Sequence, residues 1–128
     1  MLSSPGDGSE RTHMILCISR DDGKLTALGE ILRTGGHEVF LCVDPADALR
    51  VLAYASIAMV VIDEALASSD GRAVQQKARG FFPRIPVIYR TDATEPTPAI
   101  AELDPDVIIS RADGDQELLK VIAILERA

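Results

Sequence analysis

Five short, nearly unbroken apolar runs divide the chain: Met14–Ile18, Val39–Val43, Ile57–Ile62, Pro86–Tyr89 and Val107–Ile109. Runs of this length, rich in Val and Ile, read as strands buried on both faces, the kind found in parallel sheets covered by helices. The third is the most sustained, and it stops abruptly at the carboxylate of Asp63. Between the runs the apolar spacing changes to that of helices. Leu25, Leu28, Ile31 and Leu32 form one stripe, and Ala48, Leu49, Val51 and Leu52 a second. A third places Ala73, Val74, Ala78 and Phe81 inward, with Arg72, Gln75, Gln76 and Arg79 outward. Leu118, Leu119, Ile122 and Leu125 form the stripe of a terminal helix.

The punctuation agrees with these stripes. Ser19-Arg20-Asp21-Asp22-Gly23 is a polar turn that supplies a helix start, and Gly35-Gly36 closes that helix with a left-handed cap. Asp44-Pro45 pairs an N-cap with proline at the first helical position. Asp70 caps the third helix and Pro83 ends it. Pro96, Pro98 and Pro105 restrict the next helix to a short piece over Thr97 to Leu103, while Asp113 and Gln116 have capping-box spacing ahead of the last. Five β-α units with short connections predict parallel strands, right-handed crossovers and a three-layer α/β sandwich. Residues 1–11, rich in Ser, Gly and Pro, read as a mobile tail, and residues 12–128 as a single domain.

Composition narrows the function classes. A chain of 128 residues that is 47% hydrophobic is one ordinary domain with a sizeable core. A formal charge of −7 argues against direct nucleic-acid binding, which needs clustered Lys and Arg. No apolar run approaches the roughly 18 residues of a membrane span, and the N-terminus has no signal-peptide pattern, so a cytoplasmic protein is expected. Cys17 and Cys42 sit inside apolar runs and read as buried thiols. GxGxxG, GxxxxGK[ST] and GxSxG are all missing. His13 and His37 have no partnered residues in the pattern and read as surface positions, so no enzyme activity is expected.

What remains is a set of polar residues at strand ends: Asp21 and Asp22 after the first strand, Asp63 after the third, and Thr91 after the fourth. In a sheet ordered 2-1-3-4-5 these ends are neighbours at the switch point, where open α/β sheets carry their ligands. Val60-Val61-Ile62-Asp63, Asp70-Gly71 and Ile85-Pro86-Val87-Ile88-Tyr89-Arg90-Thr91, in that order and spacing, resemble a response-regulator receiver domain. The resemblance covers about Met14 to Arg127. It implies a flavodoxin-like fold in which Asp63 accepts a phosphoryl group from a histidine kinase or phosphotransfer protein. It further implies that Thr91 contacts that group, that Mg²⁺ is held at Asp63, and that a downstream protein docks as output. A homodimer is compatible with this reading. Phosphoryl transfer asks little covalent chemistry of the protein and much charge neutralisation, which suits such a site.

The chain also departs from the receiver pattern. Ser19 and Arg20 occupy the positions of the metal-binding acidic pair, leaving Asp21 as the substitute ligand. A unit cation 4 Å from another charge is worth about 4 kcal/mol at an effective dielectric of 20, so Arg20 beside a divalent ion is costly. Ser110-Arg111-Ala112 stands where the family has lysine and proline; Arg111 is the candidate replacement cation, although its planar group is no equivalent of an ammonium. The switch aromatic of the fifth strand falls at Val107. Two readings follow: a phosphorylatable receiver, or a degenerate one in which Arg20 pairs with Asp63 and the domain is a phosphorylation-independent interaction module. A third, a cofactor-binding flavodoxin-like domain, is disfavoured by the acidic loop after the first strand.

Overall fold

The computed structural model describes residues 14–66, 70–81, 84–92 and 106–127. The expected tail at 1–11, His13, Pro83 and the helix expected over Thr97 to Leu103 lie outside them. The five strands are β1 (Met14–Ile18), β2 (Val39–Cys42), β3 (Ile57–Asp63), β4 (Val87–Thr91) and β5 (Val107–Ser110). They form one parallel sheet in the order β2-β1-β3-β4-β5. The helices are α1 (Asp22–Thr34), α2 (Pro45–Tyr54), α3 (Asp70–Arg79) and α4 (Asp115–Arg127). The expected flavodoxin-like sandwich and strand order are both present.

Strand alternation sorts the core into two layers. Leu16, Ile18, Val60, Ile62, Val87 and Tyr89 face the layer completed by Ala48 and Leu52 of α2 and Val74 and Ala78 of α3. Ile15, Cys17, Met59, Val61 and Ile88 face the opposite layer, completed by Leu25, Leu28 and Leu32 of α1 and Leu118 and Ile122 of α4. Cys17 and Cys42 are buried free thiols. Burial pushes the Cys17 thiol up to about 12. Asp44 accepts from the Ala46 amide with Pro45 in the first turn, and Asp21 caps α1 by accepting from the Lys24 amide at 3.0 Å.

The structure corrects several expectations. The buried stripe of α3 is Gly71, Val74, Gln75 and Ala78, an i, i+3, i+4, i+7 set. Gln75 is therefore inside, whereas Ala73 is exposed and Phe81 is 36% exposed. Alanine marks a helix face poorly, and it rotated the expected stripe by one position. Gly71 explains the close seating of α3: a Cβ there would lie 2.6 Å from the Leu66 carbonyl oxygen and 2.7 Å from the Tyr89 hydroxyl.

In the first connection Gly35-Gly36 closes α1 as expected, with Gly36 in the left-handed conformation at φ 93°. β4 continues beyond Tyr89 through Arg90 and Thr91, because both side chains are buried as ladder residues. β5 likewise takes in Ser110. The expected pairing of Asp113 with Gln116 gives way to a capping box one turn earlier. Ser110 accepts from the Ala112 amide and Asp113 accepts from the Ser110 amide, enclosing a 3-10 turn at Arg111–Asp113. With its carboxylate directed back to Ser110, Asp113 is not the cap of α4, which begins at Asp115. His37 is not a free surface residue. Its side chain is 13% exposed and its Nδ1 lies 3.5 Å from Glu126.

Candidate functional site at the carboxyl ends of β1, β3 and β4

Register determines which side chains meet at the sheet edge. Ile18 pairs with Ile62, and Asp63 pairs with Arg90. The next residue of β1's path, Ser19, therefore falls beside Asp63, giving the row Ser19, Asp63, Arg90 on the α1–α4 side of the sheet. All three are buried, at 2%, 8% and 3% exposure. Thr91 comes one residue later and points to the opposite face.

Asp63 is hydrogen-bonded through both oxygens. The Ser19 hydroxyl donates to Oδ2 at 2.8 Å, and the Ala65 amide donates to Oδ1 at 3.2 Å. Ser19 Oγ also accepts from the Asp21 amide at 3.1 Å, so the hydroxyl is fixed by the turn that opens α1. Two cations lie in the field of Asp63. Lys24 is held charged, its pKa raised chiefly by its hydrogen bond to Asp92 and further by the Asp63 charge. The Arg90 guanidinium has its pKa lowered chiefly by burial and by Arg111, with Asp63 opposing that shift. Lys24 Nζ donates to Asp92 Oδ2 at 2.8 Å, which together with Arg111 holds the Asp92 carboxyl below the usual range.

The other expected site residues have separate engagements. The Thr91 hydroxyl donates to Glu64 Oε1, within a half-buried pair. Asp21 is exposed and serves α1 as its cap. Arg111 Nε lies 2.5 Å from Asp92 Oδ1. That contact is an ion pair by proximity, since the Nε hydrogen is not aligned on an acceptor. Arg20 pairs with Asp70 at 2.6 Å, not with Asp63, and both partners are exposed. The chain direction after Ser19 carries Arg20 outward over the start of α3, where a carboxylate is available in water. The strand ends thus converge as expected, but Asp63 and Thr91 are bonded to different neighbours.

Mg²⁺ prefers an octahedral set of oxygens that includes one or two carboxylates. Among the described residues no three His, Cys, Asp or Glu side chains are grouped to hold a metal ion. Asp63 is capped by a hydroxyl, Asp21 is committed to the helix start, and two cations share the neighbourhood. The residues present do not fit the ion. Sequence reasoning missed Glu64, Lys24, Asp92 and Arg90 as members of this region. Counting the parallel register from Ile62 would have found Arg90, and the direct succession of Asp63 by Glu64 was a signal for the partner of Thr91.

No protein-family model matches the sequence, and no curated protein is detectably similar to it. Solved structures are similar in shape. A signal receiver domain of an HD domain-containing protein from Pseudomonas fluorescens superposes with TM-score 0.77 at 22% identity, covering 91% of this chain and 96% of that one. The receiver domain of a sensor histidine kinase from Pseudomonas aeruginosa gives 0.78 at 18% identity over 91% and 99% of the two chains. That protein is described with a magnesium ion coordinated in its active-site cleft. A CheY-like response-regulator receiver domain protein from Methanospirillum hungatei gives 0.73 at 21% identity over 91% and 95%. With its five parallel strands in the order 2-1-3-4-5 and helices on both faces, the chain has the fold of response-regulator receiver domains.

Proposed function

We propose that this domain is a degenerate receiver: an interaction module that docks to protein partners without phosphoryl transfer to Asp63. The observation that carries the reading is the Ser19 hydroxyl on Asp63 Oδ2 at 2.8 Å, where a receiver has a carboxylate facing its metal. A buried carboxylate bonded by one hydroxyl and one amide, with Lys24 and Arg90 in its field, is neutralised by the protein itself. It therefore serves as an internal tie between β1 and β3. The Thr91–Glu64 pair ties β4 to the turn after β3 in the same way. The result is a locked switch region, suited to presenting one surface constantly.

A second reading is supported by the placement of Asp63 and Thr91 at the ends of adjacent strands. In it Asp63 accepts the phosphoryl group of a histidine kinase or phosphotransfer protein, Thr91 contacts that group and Arg111 replaces the family lysine. It requires Ser19 to release Asp63, Thr91 to release Glu64, and Asp63 with Asp21 to hold Mg²⁺, which the donor set does not fit.

Amide NMR with added Mg²⁺ separates the two. Wild-type protein is expected to show no saturable shift at the strand ends into the tens of millimolar, whereas Ser19→Asp with Arg20→Asp gains saturable binding by restoring two carboxylates. Saturable wild-type binding that Asp63→Asn removes would overturn the degenerate reading.

A further inference from the structure

We propose that the α1–α4 face carries a binding pocket for a small organic monocarboxylate, seated on the buried guanidinium of Arg90. A cavity of about 560 Å³ opens between these helices, with Arg90 and Arg111 at its sheet end. Arg90 is 3% exposed, and among the described residues its Nε and Nη1 donors are buried without a partner. Its nearest ion-pair partner, Asp115, stands 3.8 Å from Nη2 and is itself 59% exposed. Arg90 thus lines the cavity with two unused donors just beneath its wall, and its counter-charges, Asp115, Asp92 and Asp63, make no hydrogen bond to it. Burial of a charge is tolerated when it is paired and hydrogen-bonded, and a ligand carboxylate supplies both requirements.

Charge selects the ligand class. Arg111 shares Asp92 with Lys24, and Glu30 and Asp115 are exposed carboxylates on the cavity rim. An acidic rim opposes each added ligand charge, which favours a single negative charge over a phosphate dianion. Ile31 and Leu119 line the cavity and offer an apolar wall to a short hydrocarbon or aromatic body. This pocket lies on the α1–α4 side of the sheet, the face opposite the Thr91–Glu64 pair.

Benzoate, benzyl alcohol and inorganic phosphate are the probes, read by amide and arginine Nε shifts in NMR titrations. Benzoate is expected to bind saturably with shifts confined to α1, α4 and Arg90, at least about tenfold tighter than benzyl alcohol or phosphate. Arg90→Met is expected to weaken benzoate by at least about tenfold. Ala27→Leu, on an exposed helix position lining the cavity, is expected to do the same with the guanidinium intact. It keeps the test decisive should the Arg90 variant fold poorly. Absence of saturable benzoate binding, equal binding of benzyl alcohol, tighter binding of phosphate, or benzoate shifts unchanged in a folded variant would each overturn the proposal.

Discussion

Replacing Ser19 with alanine removes one oxygen from the centre of the site and tests what that oxygen does. The hydroxyl donates to Asp63 Oδ2 at 2.8 Å and accepts from the Asp21 amide at 3.1 Å, in a residue that is 2% exposed. A hydrogen bond to a charged group contributes roughly 1.5–3 kcal/mol, and leaving a buried acceptor short of a partner adds to the loss. Asp63 keeps the Ala65 amide, and Lys24 still contributes its charge, so the remaining carboxylate is not stranded. The expected destabilisation is therefore about 2 kcal/mol. For a domain of this size that corresponds to a fall in Tm of about 8 °C. Urea unfolding of wild type, Ser19→Ala, Asp63→Asn and the double variant forms a mutant cycle. A coupling of about 1–2 kcal/mol between the two positions is expected. A coupling below about 0.3 kcal/mol would refute the view that Ser19 and Asp63 form a structural tie.

Gly71→Ala is expected to cost about 1–2 kcal/mol in urea unfolding despite its better helix propensity, because the new Cβ meets the Leu66 carbonyl oxygen at 2.6 Å; a neutral result would mean that α3 can slide outward. Arg90→Met is expected to stay within about 1 kcal/mol of wild type in thermal unfolding without ligand, since relief of a buried charge with no hydrogen-bonded partner is offset by the counter-charge lost to Asp63; a loss above about 2 kcal/mol would show Arg90 to be a structural tie. Alkaline pH should unfold the protein in a way Cys17 helps to set. Its folded pKa, about 12, lies above its ordinary value of 9.0, so its contribution is full below pH 9 and is lost as pH rises towards 12. Cys17→Ala should reduce the slope of stability against pH in that window by up to roughly 1.4 kcal/mol per unit, as measured by urea unfolding at a series of pH values.

Unbroken apolar runs made all five strands legible from the sequence, and their alternation with helical stripes marked the sheet as parallel, although edge strand β2 is not buried on both faces and leaves Phe40 42% exposed. The ends of elements were less so, for a specific reason. Arg90, Thr91 and Ser110 are polar, and a polar residue after an apolar run reads as loop until the register shows that it is still paired. Gln75 was misplaced because a buried amide and an exposed alanine invert the usual signs on α3. At the site, convergence of the strand ends followed from topology, but partner choice did not. Arg20 pairs with the exposed Asp70, where both groups stay hydrated, and not with the buried Asp63. Asp21 had an orphan helix amide closer than any cation, and that local bond took its carboxylate.

The central claim is that Asp63 ties two strands together and is not a phosphoacceptor. Incubation of the protein with acetyl phosphate and Mg²⁺, followed by intact-mass and peptide mass spectrometry under conditions that preserve acyl phosphates, addresses it most directly. Phosphorylation-independent operation predicts an unchanged mass for wild type at times when a competent receiver run in parallel is labelled. A gain of one phosphoryl group that maps to Asp63 and disappears in Asp63→Asn would contradict it.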